Sequence, residues 1–494
     1  MTKLSIDTLS SLRSDVATPD YNHGDVSPGI VHIGVGNFHR AHQAVYLDDL
    51  FNRGQDRDWA IIGGGVRPGD AAMRDRLAPQ DWLTTVVELE PGAWRARVIG
   101  SMVDFLPVEN GNGPLIRAMA APETRIVSLT VTEGGYFIDA MTGKFDPTHP
   151  DLVHHGGTAG ASSTVFGAIA AALKARRAAG LEPFTVMSCD NLPGNGHIAQ
   201  EAVVGVAALS DPALGAWIDG NVAFPNGMVD RVTPATGPRE RELVAARFGI
   251  EDTAPVVCEP FRQWVLENNF PAGRPAFEEV GVTLTDRVDA FETMKIRILN
   301  GGHAIIAYPG GLLDIEYVHE AMAHPLIAAF LRRVLTEEVV PIVPPVPETN
   351  LDGYVRLVTD RFANPEVGDT IRRLCLDGSN RQPKFVIPSI RDNLRRGSAA
   401  TGLILLSALW CRYCEGHSES GAEIAPNDPN WADLVASARK ARHRPDAWLD
   451  MEDVYGDLAQ NQELKAAFSR YLELIWTNGT ARVLEAYLEG TLNR

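Results

Sequence analysis

Glu292, Lys295, Asn300 and His303 lie close together in the stretch Phe291-Glu-Thr-Met-Lys-Ile-Arg-Ile-Leu-Asn-Gly-Gly-His303. On a regular α-helix they fall at about 60°, 0°, 140° and 80°. One side of one helix then carries a carboxylate, an amine, an amide and an imidazole. That set suits removal of a proton from an alcohol and stabilisation of the oxygen left behind. A lysine acts as general base only when burial or neighbouring charge lowers its pKa from about 10.4 toward about 7 or 8. A fall of about three units disfavours the ammonium by roughly 4 kcal/mol, which calls for a mostly dry pocket. Ile296, Ile298, Leu299, Ala304 and Ile305 are the apolar residues able to wall it. The same spacing also describes an amphipathic helix whose polar side faces water, so the rest of the chain must decide.

The elements that would position a ligand begin far upstream. Gly29-Ile-Val-His-Ile33 is a β-branched run expected to form a buried strand. Gly34-Val-Gly36 follows, then a helical segment through Leu47, Leu50 and Phe51, then a second strand at Trp59-Ala-Ile-Ile62. A glycine pair between a strand and a helix is the setting of a dinucleotide fingerprint. The first glycine permits the tight turn and the second lets backbone approach a pyrophosphate at the helix N-terminus. The third fingerprint position is His39, so the match is partial. Asp70, after the second strand, suits the ribose hydroxyls of NAD, while Arg67 beside it suits the 2′-phosphate of NADP.

Further strands are expected at Arg125–Val131 and Phe184–Ser188, with a helix from Thr164 to Ala179. Strands alternating with helices indicate an α/β, doubly wound, Rossmann-type sheet. Beyond about residue 290 helical patterns take over, at Met322–Val339, Gly353–Phe362, Ala399–Glu415 and Gln462–Leu488. Pro341-Ile-Val-Pro-Pro-Val-Pro347 is a stiff connector. The expected domains are 1–287, binding dinucleotide, and 288–494, mostly α-helical and holding substrate.

Composition narrows the class. Of 494 residues, 45 are basic and 63 acidic, a net charge of −18 that disfavours nucleic acid and anionic membrane as partners. Five cysteines, an odd and sparse count, fit free thiols in a reducing compartment. Cys411-Arg-Tyr-Cys414 has metal-ligand spacing but follows an apolar helical run without a second pair, so no metal is expected. Met1–Ser10 lacks the apolar core of a signal peptide, and a cytoplasmic protein is expected.

Several motifs together resemble the polyol-specific long-chain dehydrogenases, over nearly the whole chain, and most closely their mannitol branch. They are Ile33–His42, Ser128-Leu-Thr-Val-Thr-Glu-Gly-Gly-Tyr136, Phe184-Thr-Val-Met-Ser-Cys-Asp-Asn191, Phe224-Pro-Asn-Gly-Met-Val-Asp-Arg231 and the Lys295–His303 segment. The resemblance implies metal-free hydride transfer between NAD (or NADP) and a sugar polyol or ketose, such as D-mannitol and D-fructose, in a cleft between the two domains. By matching positions, Lys295 is the implied base, and Asn191 and Asn300 the amides on the reacting oxygen. His303 orients substrate, Asp230 and Arg373 grip its hydroxyls, and Glu292 lies near the base. Gly34, Gly36, Phe38, Arg40 and Asp70 are the implied cofactor contacts. Two positions depart from the family pattern: Gly302 stands in place of Ser or Thr, and Arg381 in place of a lysine.

Within the same family, fructuronate reduction is the nearest rival, with Arg372, Arg373, Arg381 and Lys384 as cations for a sugar acid. Glu133-Gly-Gly-Tyr136 and Pro383-Lys-Phe-Val-Ile-Pro388 fit the polyol branch better, with D-arabitol and D-sorbitol as further substrates. A non-catalytic dinucleotide sensor would have lost the proton-transfer set that this chain keeps. The expected partner is a small polyol or ketose, and the chain is compatible with a monomer.

Overall fold

The computed structural model of the chain describes residues 1–139, 144–150, 152 and 164–493. The chain divides into two compact units, Met1–Asp289 and Ala290–Arg494.

In the first unit, five parallel strands form the central sheet: β1 (Pro28–Ile33), β2 (Ala60–Gly64), β3 (Met102–Phe105), β4 (Ile126–Leu129) and β5 (Thr185–Ser188). Their order is β3-β2-β1-β4-β5, so the chain reverses direction across the sheet at β1. This is the doubly wound arrangement expected from the alternating pattern. Both faces are covered, which is why the strands are runs of β-branched residues. Ile30, Ile61 and Ile126 enter one apolar core with Leu47, Leu50 and Phe51. Val31, Ile33, Val127 and Val186 enter the other with Phe166, Ile169 and Leu173. Ile33 pairs with both Gly64 and Leu129, and Leu129 pairs with Ser188. The carboxyl ends of four strands therefore finish level, and ligands of such sheets sit outside those ends.

The helical segment after β1 is not continuous. It splits into α1 (Asn37–Ala41) and α2 (Gln43–Asn52), because His42 leaves helical geometry at φ −123°, ψ −91°. Three smaller sheets accompany the central one among the described residues, and two of them bear on the site. One orders Val256–Cys258, Thr84–Glu88, Arg95–Ile99 and Val16–Ala17. The other pairs β6 (Gly227–Asp230) antiparallel with β7 (Gln263–Leu266).

The second unit is helical. The segment holding Lys295 is not a plain α-helix: α3 (Val288–Met294) passes into a π-turn over Lys295–Asn300 and then α4 (Gly301–Leu312). Met322–Val339 breaks at His324-Pro325, and Pro325–Val334 leads into a second π-turn, Leu335–Val339. Gln462–Leu488 divides at Gly479, whose φ of +80° suits glycine. The other helices used below are α5 (Leu351–Phe362), α6 (Ile371–Leu374), α7 (Ile387–Arg396) and α8 (Thr401–Tyr413). Cys411 and Cys414 are buried free thiols at the end of α8. No helix among the described residues is long and apolar enough to cross a membrane.

Candidate active site

The glycine loop meets a backbone requirement. Gly34 has φ +99°, and a Cβ there would lie 2.1 Å from the carbonyl oxygen of Thr130. Gly36 caps α1, and a Cβ on it would meet nothing nearer than Gly34 O at 3.9 Å, so that backbone is open to close approach. Beneath the loop is a buried imidazole cluster. His32 and His39 stack at 3.4 Å with planes 11° apart. His32 bonds Ser128 Oγ at 2.8 Å and Thr130 Oγ1 at 2.9 Å. Burial lowers His32 and His42 to about 3, and His39 well below the usual value. Burial favours the neutral form of all three, so they support the loop by packing, with hydrogen bonds made by His32 and His42, rather than by charge.

Two implied cofactor contacts are also engaged within the fold. Arg40 is fully buried; it donates to Gly36 O (3.2 Å), Asn37 Oδ1 (2.8 Å) and the carbonyl of Ala254. Its guanidinium thus holds the loop from behind, because all this polar surface had to be satisfied inside the fold. Asp70 Oδ2 accepts from Val66 N (2.9 Å) and Arg67 N (2.8 Å), capping the helix Pro68–Leu77. Phe38 packs against the core and stacks on His42 at 4.8 Å.

Asn191 is exposed just past the carboxyl end of β5. Its loop is fixed by neighbours, of which Asp190 and Tyr136 lie in the motifs quoted above and Asn195 does not. Asp190 accepts from Thr132 N (2.9 Å), Val131 N (3.0 Å) and Tyr136 OH (2.6 Å). Asn195 Nδ2 donates to the carbonyls of Ser188, Asp190 and Gly227. Asn191 is exposed while Asp190 and Asn195 on either side are buried. Asp230 ends β6 and is buried, while Arg231 reaches Glu88 at 2.6 Å.

In the second unit, Lys295 opens the π-turn and is 7% exposed. Ile298, Leu299, Ala304 and Ile305 are buried around the turn, and Ile296 is half-buried. In ideal π geometry, with about 4.4 residues per turn, the offset from Lys295 to Asn300 falls from about 140° to about 50°. The turn thus draws amine and amide much closer in phase than a regular helix would. Asn300 Oδ1 is buried without a hydrogen-bond partner, as a group poised for a hydroxyl donor would be. Glu292 stands half-buried on α3.

His303 stacks on Phe362 of α5 at 4.4 Å. Its pKa is held well below the usual value by burial, then by Arg373, Arg361, Arg381 and Lys295. It is a neutral hydrogen-bonding group inside a cationic cluster. Arg373, on α6, forms a bidentate ion pair with Asp369, and Arg381 donates to the carbonyls of Arg373 and Leu374. A Cβ at Gly302 would meet Phe362 at 3.3 Å, so the glycine lets that ring approach the helix. The structure thus brings Lys295, Asn300, His303 and Arg373 together within one unit. Arg361 and Phe362 complete that group; periodicity marked Phe362 only as part of a helix.

Comparison with known proteins identifies the family. Residues 28–279 match the mannitol dehydrogenase Rossmann domain, and residues 287–476 the mannitol dehydrogenase C-terminal domain. The chain is 63% identical to a mannitol 2-dehydrogenase of Cereibacter sphaeroides, over 96% of this chain and 99% of that one. It is similar to the structure of Pseudomonas fluorescens mannitol 2-dehydrogenase in ternary complex with NAD and D-mannitol. That match has a TM-score of 0.88 and 43% identity, covering 99% of this chain and 100% of the other. A substrate-free D-sorbitol dehydrogenase matches with a TM-score of 0.89 at 33% identity, over 97% of this chain and 100% of that one. With both domain matches and near-full-length relatives in hand, the chain belongs to the mannitol dehydrogenase family.

Proposed function

We propose that this chain is a metal-independent, NAD-dependent polyol dehydrogenase interconverting D-mannitol and D-fructose, with Lys295 as general base. The observation that carries the reading is the buried Lys295 sharing a π-turn with Asn300, whose amide oxygen is buried and unpartnered. The Cereibacter sphaeroides relative named mannitol 2-dehydrogenase, and the Pseudomonas fluorescens enzyme seen with NAD and D-mannitol, support the substrate and cofactor. Residues 1–287 act as the dinucleotide-binding domain and 288–494 as the substrate domain.

Gly34 and Gly36 fit a dinucleotide, since one leaves no room for a side chain and the other exposes its backbone. Bound there, the nicotinamide supplies the acceptor for the hydride that leaves carbon. Neutral Lys295 Nζ takes the proton of the alcohol O–H as that C–H bond breaks and the carbonyl forms, and returns it in the reverse direction. Asn191 and Asn300 donate to the oxygen through their amide N–H groups, each typically worth about 3 kcal/mol at the transition state, which leaves Asn300 Oδ1 to accept from another hydroxyl of the polyol. His303, Asp230 and Arg373 orient the remaining hydroxyls, and Glu292 stands near the base.

A sugar-acid substrate is the second reading, favoured by the arginines around His303. Arg373 is already paired with Asp369, and Arg381 is engaged with backbone, which favours a neutral polyol. The test is a panel of D-mannitol, D-sorbitol, D-arabitol, D-fructose and fructuronate, followed by nicotinamide absorbance with each cofactor. D-fructose reduction with NADH is expected. Turnover of fructuronate with no neutral ketose accepted would overturn the assignment.

A further inference from the structure

A π-turn departs from the i→i+4 ladder of the helix around it and persists where tertiary contacts hold it. The Lys295–Asn300 turn has such a contact. Arg297, in its middle, donates to Ser389 Oγ at 2.8 Å and to Asp392 Oδ2 at 2.8 Å. Ser389 and Asp392 are three apart on α7, hence on one face of that helix. The next residue, Asn393, donates to the carbonyl of Glu338 at 2.7 Å, inside the second π-turn. The Glu338 carboxylate in turn accepts from Gly402 N (2.7 Å), Leu403 N (3.0 Å) and Tyr487 OH (3.0 Å). The group that Arg297 grips is therefore itself anchored, through α7 and the second π-turn, to the start of α8.

We propose that Arg297 is a positioning residue: its fork on Ser389 and Asp392 fixes the π-turn so that Lys295 and Asn300 face the same side. The proposal rests on the reading of Lys295 as base. Arg297 touches no reacting atom; it acts through the backbone between the two residues that do. Either end of the contact can be removed without altering Lys295 or Asn300.

The test compares Arg297→Met, Arg297→Lys, Asp392→Asn, Lys295→Ala and the double variant Lys295→Ala/Arg297→Met. Turnover per folded site, NAD affinity by fluorescence titration and circular dichroism are measured. Arg297→Met should lower kcat by up to about 10²-fold, the scale of a small misplacement at a reacting centre, with NAD affinity retained. Arg297→Lys, which keeps a cation on Asp392, should lose less, and Asp392→Asn should lose activity in the same direction. On the Lys295→Ala background, Arg297→Met should cost less than about threefold, because the two act as one unit. A folded Arg297→Met or Asp392→Asn with unchanged kcat would overturn the proposal, as would equal losses on both backgrounds. Near-normal turnover of Lys295→Ala would instead overturn the base assignment, so the two failures are distinct.

Discussion

The imidazole of His303 lies against the ring of Phe362, with centroids 4.4 Å apart and planes 23° apart. Phe362 also fills the space that a side chain at residue 302 would occupy. One aromatic ring thus sets both the height and the tilt of a candidate substrate ligand. Phe362→Leu keeps most of the apolar volume but removes the flat support. It should raise KM for the polyol several-fold while leaving NAD affinity unchanged. Equal KM values for variant and parent would show that the stack is packing alone.

Lys295→Ala should lower kcat by at least about 10²-fold while NAD still binds. Mannitol oxidation by the parent should rise with pH, because only the neutral amine accepts a proton. Asn300→Ala should also be slow but keep the parental pH dependence, since an amide does not titrate. If Lys295→Ala kept both rate and pH profile, the lysine would be structural. His303 would make a poor replacement, because the surrounding arginines and its burial weaken it as a base.

Asp70 carries two tasks that one substitution can separate. Its Oδ2 caps a helix through Val66 N and Arg67 N, and on the proposed reading its charge would repel a 2′-phosphate. Asp70→Ala should lose about 1 kcal/mol of stability through the lost cap and increase relative use of NADP. Asp70→Asn keeps an acceptor oxygen and should shift cofactor preference with a smaller fall in melting temperature. Unchanged NAD/NADP selectivity in both variants would place ribose recognition on another residue.

Acid should weaken the first unit through its buried imidazoles. Burial lowers His32 and His42 to about 3 and His39 well below normal, whereas an unfolded histidine titrates near about 6.5. Above about pH 6.5 neither state holds these protons and stability is unaffected. As pH falls from there toward about 3, only the unfolded chain takes them up. Stability is then lost at up to about 1.4 kcal/mol per pH unit for each histidine. Urea unfolding between about pH 7.5 and about pH 5 measures the slope, and His42→Gln should reduce it. Stability that stayed flat over that range would refute the account.

Much of the nucleotide-binding half was legible because physics leaves little choice there. β1, β2, β4 and β5 are buried on both faces, so their β-branched runs stand out within a few residues of their true ends. The pairing of Thr84–Glu88 with Val256–Cys258 was not legible, since its partners are far apart in sequence and no local pattern links them. The interruption at His42 is a backbone event that leaves the apolar periodicity of α1 and α2 intact.

In the candidate site, residue type and spacing identified Lys295, Asn300 and His303 but gave the wrong phase for Asn300. The π-turn that corrects it depends on tertiary contacts from α7, which no window around Lys295 contains. The family resemblance implies Arg40 as a cofactor contact, and the place of Asp70 after the second strand suggests ribose binding. The structure engages Arg40 with carbonyls and a neighbouring amide oxygen, and Asp70 with a helix end.

The π-turn also has a genetic meaning. A π-bulge amounts to one residue inserted into an α-helix, so the register between Glu292 and His303 is quantised in codons. Removing a single codon between Lys295 and Asn300 would let the segment close as an ordinary helix. Asn300 would then lie at about 40° from Lys295, close to the roughly 50° of the π-turn, so the face downstream would keep its phase while the chain lost one residue. Point substitutions can tune this site gradually, but a lineage cannot lose the inserted residue by degrees. The step is whole or absent, which would make the turn a durable mark of descent among relatives that share the chemistry.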